Sequence, residues 1–287
     1  MPSKFAQSLI RFAIISALSF SIAMVASAQC PTAPGDSGVV AAPSRPNYTN
    51  NADVLQEGVT EFEYGFSHSW NGAGGASQTD MPGLMRFSAA CNIEVRFGSD
   101  SFSEITQQGH SQSGIGDSWL TGQYEFWRQT PNSPSMAFAY GIKIPFANGN
   151  DGLGTGKVDH AFTFLANKNV GQTTVAFNAI YTLAGRPAGS GFDRNEFFSG
   201  AFSRPVHGPI GITGEMYGAT QLNPQTPAFA GTLWAVTYNS TPRLVFDLGI
   251  DKGLTAGVPH QRLVFGVSYA IGEMYSWLRP HRRPVEE

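Results

Sequence analysis

Apolar and polar residues alternate along most of the chain from Val59 onward. Phe62, Tyr64, Phe66 and Trp70 are separated by Glu61, Glu63, Gly65, Ser67 and Ser69. That period of two puts aromatic side chains on one face of a strand and acidic or small ones on the other. Ile93, Val95 and Phe97 interleave with Glu94 and Arg96, and Leu120, Tyr124 and Phe126 with Asp117, Thr121, Gln123 and Glu125. Met136, Phe138, Tyr140, Ile142 and Ile144 face away from Lys143, while Leu244, Phe246, Leu248 and Ile250 oppose Arg243, Asp247 and Asp251. The pattern predicts twelve strands, near 59–70, 83–89, 93–99, 115–127, 135–145, 159–166, 173–183, 196–203, 209–218, 230–238, 243–251 and 262–271.

Most of these segments approach the roughly 9–11 residues that a tilted strand needs to cross a bilayer. A soluble sandwich would have to bury one of its faces in a dry core, and here the polar face carries charges. Each unpaired ion so buried costs on the order of several kcal/mol. Lipid accepts the aromatic face and a hydrated or hydrogen-bonded lumen accepts the other. The fold class expected is therefore all-β, a transmembrane antiparallel up-and-down barrel of twelve strands. The connections agree, since long and short ones alternate along the chain, as outer loops and periplasmic turns do in outer-membrane barrels. An even strand count then places both chain ends in the periplasm. At the tightest turn, Ala90-Cys91-Asn92, the expected register sets Ser88 opposite Glu94 and Arg86 opposite Arg96, with the Glu94 carboxylate between two guanidiniums.

The segment before the strands divides the chain further. Lys4 and Arg11, an apolar stretch from Phe12 to Val25 and a small-x-small Ala26-Ser27-Ala28 site mark residues 1–28 as a secretory signal peptide. Residues 29–52, with Pro31, Pro34, Pro43 and Pro46 among Ala, Ser, Asn and Gly, read as a flexible periplasmic leader. The barrel is expected over 53–271 and a periplasmic C-terminal tail over 272–287. Beyond the signal no run of apolar residues is long enough for a membrane helix, so an exported chain of this kind belongs in the bacterial outer membrane.

Composition narrows the chemistry. Charged residues make up 14% of the chain against roughly 25% in an average soluble domain, with 33 Gly and only two Cys. The two Cys cannot build a Cys-ligated zinc module. A net charge of −3 without a basic block argues against nucleic acid as a partner. In the periplasm, Cys30 of the leader and Cys91 of the first short turn are expected to pair as a disulfide.

Apparent catalytic motifs fail on inspection. Gly109-His110-Ser111-Gln112-Ser113 has Ser where a nucleophile elbow needs its second Gly. Gly152-Leu153-Gly154-Thr155-Gly156-Lys157 has Asp151 and Val158 at two positions a phosphate-binding loop needs. The six histidines show no metal-ligand spacing. No catalytic residue, metal or cofactor is expected. The residues singled out are instead those of the inner face: Arg86, Glu94, Arg96, Asp117, Glu125, Lys143, Asp247 and Asp251 are expected to line the lumen. Glu61, Glu63, Glu215, Arg243 and Arg262 fall on the same face, making a mixed, slightly acidic interior.

Gly114-Ile115-Gly116-Asp117 opening a strand, Lys143-Ile144-Pro145 ending another, Leu153-Gly154-Thr155-Gly156 with Asp159, and Asp247-Leu248-Gly249-Ile250-Asp251-Lys252-Gly253-Leu254 occur in that order. In this the chain resembles outer-membrane barrels of the "MetA-pathway of phenol degradation" family over roughly 55–271. Two features depart from the family's pattern: Phe146 follows Pro145, and the chain continues past Ile271 to Glu287 without a terminal aromatic. The resemblance implies a transporter for small solutes, aromatic or otherwise hydrophobic. Its partners would be the outer-membrane bilayer, the solute and the barrel assembly machinery. Two other readings stay open at this point, a lipid-modifying hydrolase or acyltransferase using Ser111 and His110, and a structural barrel closed by its own ion pairs.

Overall fold

A computed structural model describes residues 38–72, 75–149, 152–255 and 257–275. The signal-peptide reading, Cys30 and the tail beyond Tyr275 lie outside the described residues. The strands are β1 (Val59–Trp70), β2 (Ser77–Ala90), β3 (Ile93–Gln107), β4 (His110–Gly114), β5 (Ser118–Trp127), β6 (Ser135–Ile144), β7 (Asp159–Val170), β8 (Thr173–Gly185), β9 (Phe192–His207), β10 (Ile210–Ala219), β11 (Phe229–Thr241), β12 (Leu244–Gly253) and β13 (Gln261–Glu273).

All neighbouring pairs are antiparallel. β13 pairs with β1 and the sheet returns through β5 and β3 to β2, so it closes on itself. β4 and β5 both lie against β3 and form one interrupted stave. The barrel therefore has twelve staves, each matching one of the twelve segments expected.

The two faces separate as the period of two requires. Phe62, Leu120, Phe138, Phe177, Trp234, Leu248 and Phe265 are exposed on the outside, while Glu61, Glu63, Arg86, Glu94, Gln123, Asn167, Asn178 and Glu215 are buried inside. Among the described residues no helix is long and apolar enough to cross a membrane; the strands provide the apolar belt.

One end of the barrel carries the short turns at 91–92, 171–172, 208–209 and 242–243, and the opposite end carries the longer connections, including 145–158 and 220–228. Gly171 and Gly208 take φ of 61° and 52° in their two-residue turns, a conformation that costs other residues energy. By the loop rule of outer-membrane barrels the short-turn end faces the periplasm. At the first short turn Arg86 opposes Arg96 and Ser88 opposes Glu94, the expected register. A bulge between Ser88 and Ala90 supplies the odd residue.

One expectation is corrected. The part of the leader that is described, residues 38–52, is not a free periplasmic segment, and the chain up to Val59 lies inside the barrel. The absence of apolar periodicity there excluded a strand or helix of its own, but not backbone donors satisfied by an enclosing wall.

Candidate functional site

Residues 38–57 run once around the inner wall, and nine of their backbone amides find an inward side chain of the strands. Ala42 N donates to Glu61 Oε2 at 2.7 Å, and Ser44 N and Arg45 N donate to the two oxygens of Glu63, each at 3.0 Å. Tyr48 N and Thr49 N reach Glu215 of β10 at 2.9 and 2.6 Å, and the Thr49 hydroxyl donates to the same carboxylate at 2.5 Å. Asn50 N donates to Asn178 of β8 at 2.8 Å, Ala52 N to Asn167 of β7 at 2.7 Å and Leu55 N to Glu94 of β3 at 2.8 Å. Gln123 of β5 donates to the Ala52 carbonyl at 2.9 Å, and Gly58 N closes on the Ser88 carbonyl of β2. These partners follow the order of staves around the sheet. The segment is a collar, one circuit long.

Side chains fix it at two further places. Ala52 packs against Ala137, Ala139 and Leu165. Arg45 lies against the directly paired Gly65 and Gly266 of β1 and β13, where a Cβ on either residue would overlap the guanidinium. It bonds Asp247 Oδ2 at 3.3 Å and the Phe265 carbonyl at 3.0 Å. Two glycines at one level of the wall are thus a seat for one arginine.

The expected inner-face residues fall into five groups. Arg86 lies among three carboxylates, 3.0 Å from Glu94, 3.1 Å from Glu61 and 3.4 Å from Glu63, and also donates to the Ala42 carbonyl. Arg96 bonds the same Glu94 oxygen at 2.6 Å and Gln123 at 2.7 Å. Asp251 accepts from Tyr48, Tyr217 and Arg262 at 2.9, 2.6 and 2.6 Å, beneath an aromatic group in which the Tyr48 and Tyr217 rings stand 4.5 Å apart with Phe197 and Phe229 nearby. Lys143 bridges Asp117 and Asp159 at 3.1 and 2.7 Å, and the 145–158 connection is held there through Ala147 N to Asp117. Glu125 pairs with Arg128 at 3.5 Å, and Asp247 with Arg45.

Every one of these groups thus has a partner, and several of the acids hold the collar directly. Sequence reasoning missed the collar itself. Its trace was the surplus of inward acceptors, with Glu215, Asn167 and Asn178 having no basic partner in the pattern. Beside the collar, towards the short-turn end of β8 to β12, lies a cavity of about 330 Å³ bordered by Ser44, Asn51, Thr174, Ser203, Thr213 and Thr237. Among the described residues no cluster of His, Cys, Asp or Glu could hold a metal ion. Ser111 bonds Thr106 at 2.7 Å beside the tip of the β3–β4 hairpin. Cys91 is buried in the β2–β3 turn and carries no free thiol.

A closed barrel with a lipid-compatible exterior, an ionic interior and short turns at one end is an outer-membrane β-barrel, and its fold is that of outer-membrane channels. The COG4313 outer membrane channel from Pseudomonas putida F1 aligns with a TM-score of 0.62 at 12% identity, covering 80% of this chain and 100% of that one. The NanC porin aligns with a TM-score of 0.50 at 10% identity, covering 73% and 98%. No curated protein matches the sequence. The chain belongs to the family described as "Putative MetA-pathway of phenol degradation", whose model matches residues 43–271. That match begins within the collar.

Proposed function

We propose that this barrel is a passive channel for small, largely uncharged solutes, aromatic or hydrophobic ones among them, and that it performs no covalent chemistry. The observation that carries the reading is the collar running along the wall, with a cavity of about 330 Å³ bordered by hydroxyl, amide and small apolar groups. That volume lies at the low end of roughly 300–1,000 Å³ for small-molecule sites. The charges bordering the cavity are each engaged by the protein, Arg86 by three carboxylates, Arg45 by Asp247, and Asp53 by the Ser135 hydroxyl and the Asn167 amide. A neutral solute therefore loses less there than an ion does. The family's description, phenol degradation, supports an aromatic solute.

The enzyme reading loses support because Ser111 has Thr106 as its hydroxyl partner and sits on a hairpin rather than a strand-to-helix turn. The barrel assembly machinery and the bilayer are the partners proposed, and nucleic acid is not one. A structural barrel is the second reading, favoured by the lumenal ion pairs. Planar-bilayer recording together with swelling of solute-loaded vesicles tests the proposal. Discrete conductance and uptake of neutral aromatics are expected, and a silent barrel that admits no solute would leave the structural reading standing.

A further inference from the structure

The collar poses a question that channel activity alone does not answer, namely whether solute passes through it or must first displace it. We infer that the collar stays in place during transport and that its free edge, centred on Asn51, Ser44 and Val54, sets what passes. This rests on the channel reading above.

Three observations carry it. First, nine backbone amides of the collar, at residues 42, 44, 45, 48, 49, 50, 52, 53 and 55, are taken by side chains of the wall. Withdrawing the segment would strip partners from Glu61, Glu63, Glu94 and Glu215, all buried, and an unsatisfied buried group costs more than an ordinary hydrogen bond returns. Second, the anchors are spread over the whole circumference, from β1 through β10 and β8 to β3, so no local movement releases the segment. A plug lying across a lumen can swing on one hinge, whereas a collar must let go everywhere. Third, its residues divide by direction. Ala52 and Leu55 are buried against the wall and away from the cavity, whereas Asn51 is exposed, and Ser44, Asn51 and Val54 border the cavity. The wall-facing set is structural, and the remaining edge meets whatever moves past.

Ser44, Asn51 and Val54 offer a hydroxyl, a carboxamide and an isopropyl group, while the charged collar residues at the same cavity are held by the wall, Arg45 by Asp247 and Asp53 by Ser135 and Asn167. The edge can exchange hydrogen bonds with a hydroxylated or carbonyl-bearing solute while presenting apolar surface to its ring or chain.

The test staples the collar to the wall. Ala52→Cys with Ala137→Cys joins two residues of one buried cluster, and mass mapping identifies the new bond. Single-channel conductance and phenol uptake into vesicles are read oxidised and reduced, alongside Asn51→Trp and Asn51→Cys treated with a bulky thiol reagent. The expected result is unchanged conductance and uptake in the stapled protein, with a loss of both when position 51 is enlarged. A barrel silenced by the staple and restored by reduction would overturn the inference and leave the channel reading intact. So would conductance and uptake insensitive to bulk at position 51. If the unmodified protein neither conducts nor admits phenol, the channel reading fails and takes this inference with it.

Discussion

Arg86 provides the severest test of how this lumen is held. Its side chain is 3% exposed and the three carboxylates around it are completely buried. Arg86→Met keeps most of the side chain's length and bulk but removes the only cation within 4 Å of Glu61 and Glu63 among the described residues. Three like charges then share one buried site, with Arg96 compensating only Glu94. Breaking a buried pair by deleting one partner costs about 3–5 kcal/mol, and the lost bond to the Ala42 carbonyl adds about 1 kcal/mol. Arg86→Lys keeps the charge but offers one nitrogen where the guanidinium uses three, so a smaller loss, about 1–3 kcal/mol, is expected. Urea titration of the barrel in lipid vesicles, followed by tryptophan fluorescence, gives both values. If Arg86→Met stays within about 1 kcal/mol of wild type, the size of an ordinary surface effect, the cluster is not what joins collar and wall.

Other outcomes follow from the same geometry. Leu248→Arg on the lipid face should destabilise the barrel by about 2–4 kcal/mol near mid-bilayer. Thr237→Arg should be milder, because it borders the cavity and is paired across strands with Asp247; equal losses in vesicle titrations would contradict the assignment of faces. Gly266→Ala should cost about 1–3 kcal/mol by crowding the Arg45 seat, and the same titration showing no loss would mean the guanidinium simply moves. Asp251→Asn leaves Arg262 without its carboxylate, so reversal potentials under a salt gradient should shift towards anions, and an unchanged potential in a conducting barrel would take the pair out of the ion path. A Cys30–Cys91 disulfide predicts that both thiols resist alkylation until reduction; two cysteines alkylated in the native outer-membrane protein would exclude it.

The wall was legible because a strand's period of two is a local property. Phe62, Phe138 and Leu248 declare their face through the residues on either side. Even the approach of Arg86, Glu94 and Arg96 could be read from one short turn, since register there is a matter of counting. The collar was not legible because its partners are distant. Thr49 and Glu215 are 166 positions apart, and a carboxylate that accepts backbone amides looks, in a sequence, like one that faces water. The acids were expected on the lumenal face, and what the pattern did not show is that Glu61, Glu63, Glu94 and Glu215 also hold a backbone there. The seat of Arg45 was equally hidden, because Gly65 and Gly266 have meaning only once β1 and β13 are paired.

The length of the collar also bears on the number of strands. Twelve strands about 4.8 Å apart and tilted by about 40° enclose a backbone circumference of ~75 Å, a radius of ~12 Å. An inward Glu or Asn with its hydrogen bond reaches ~6 Å, leaving a circuit of ~35–40 Å, and the fourteen residues from Ala42 to Leu55 span at most ~46–50 Å when extended. The segment therefore fits this circumference with little slack. In a barrel wider by one hairpin it would be stretched to its limit, and in one narrower it would buckle into the open space. The chain carries its own gauge, a length of backbone that matches one diameter and penalises the others.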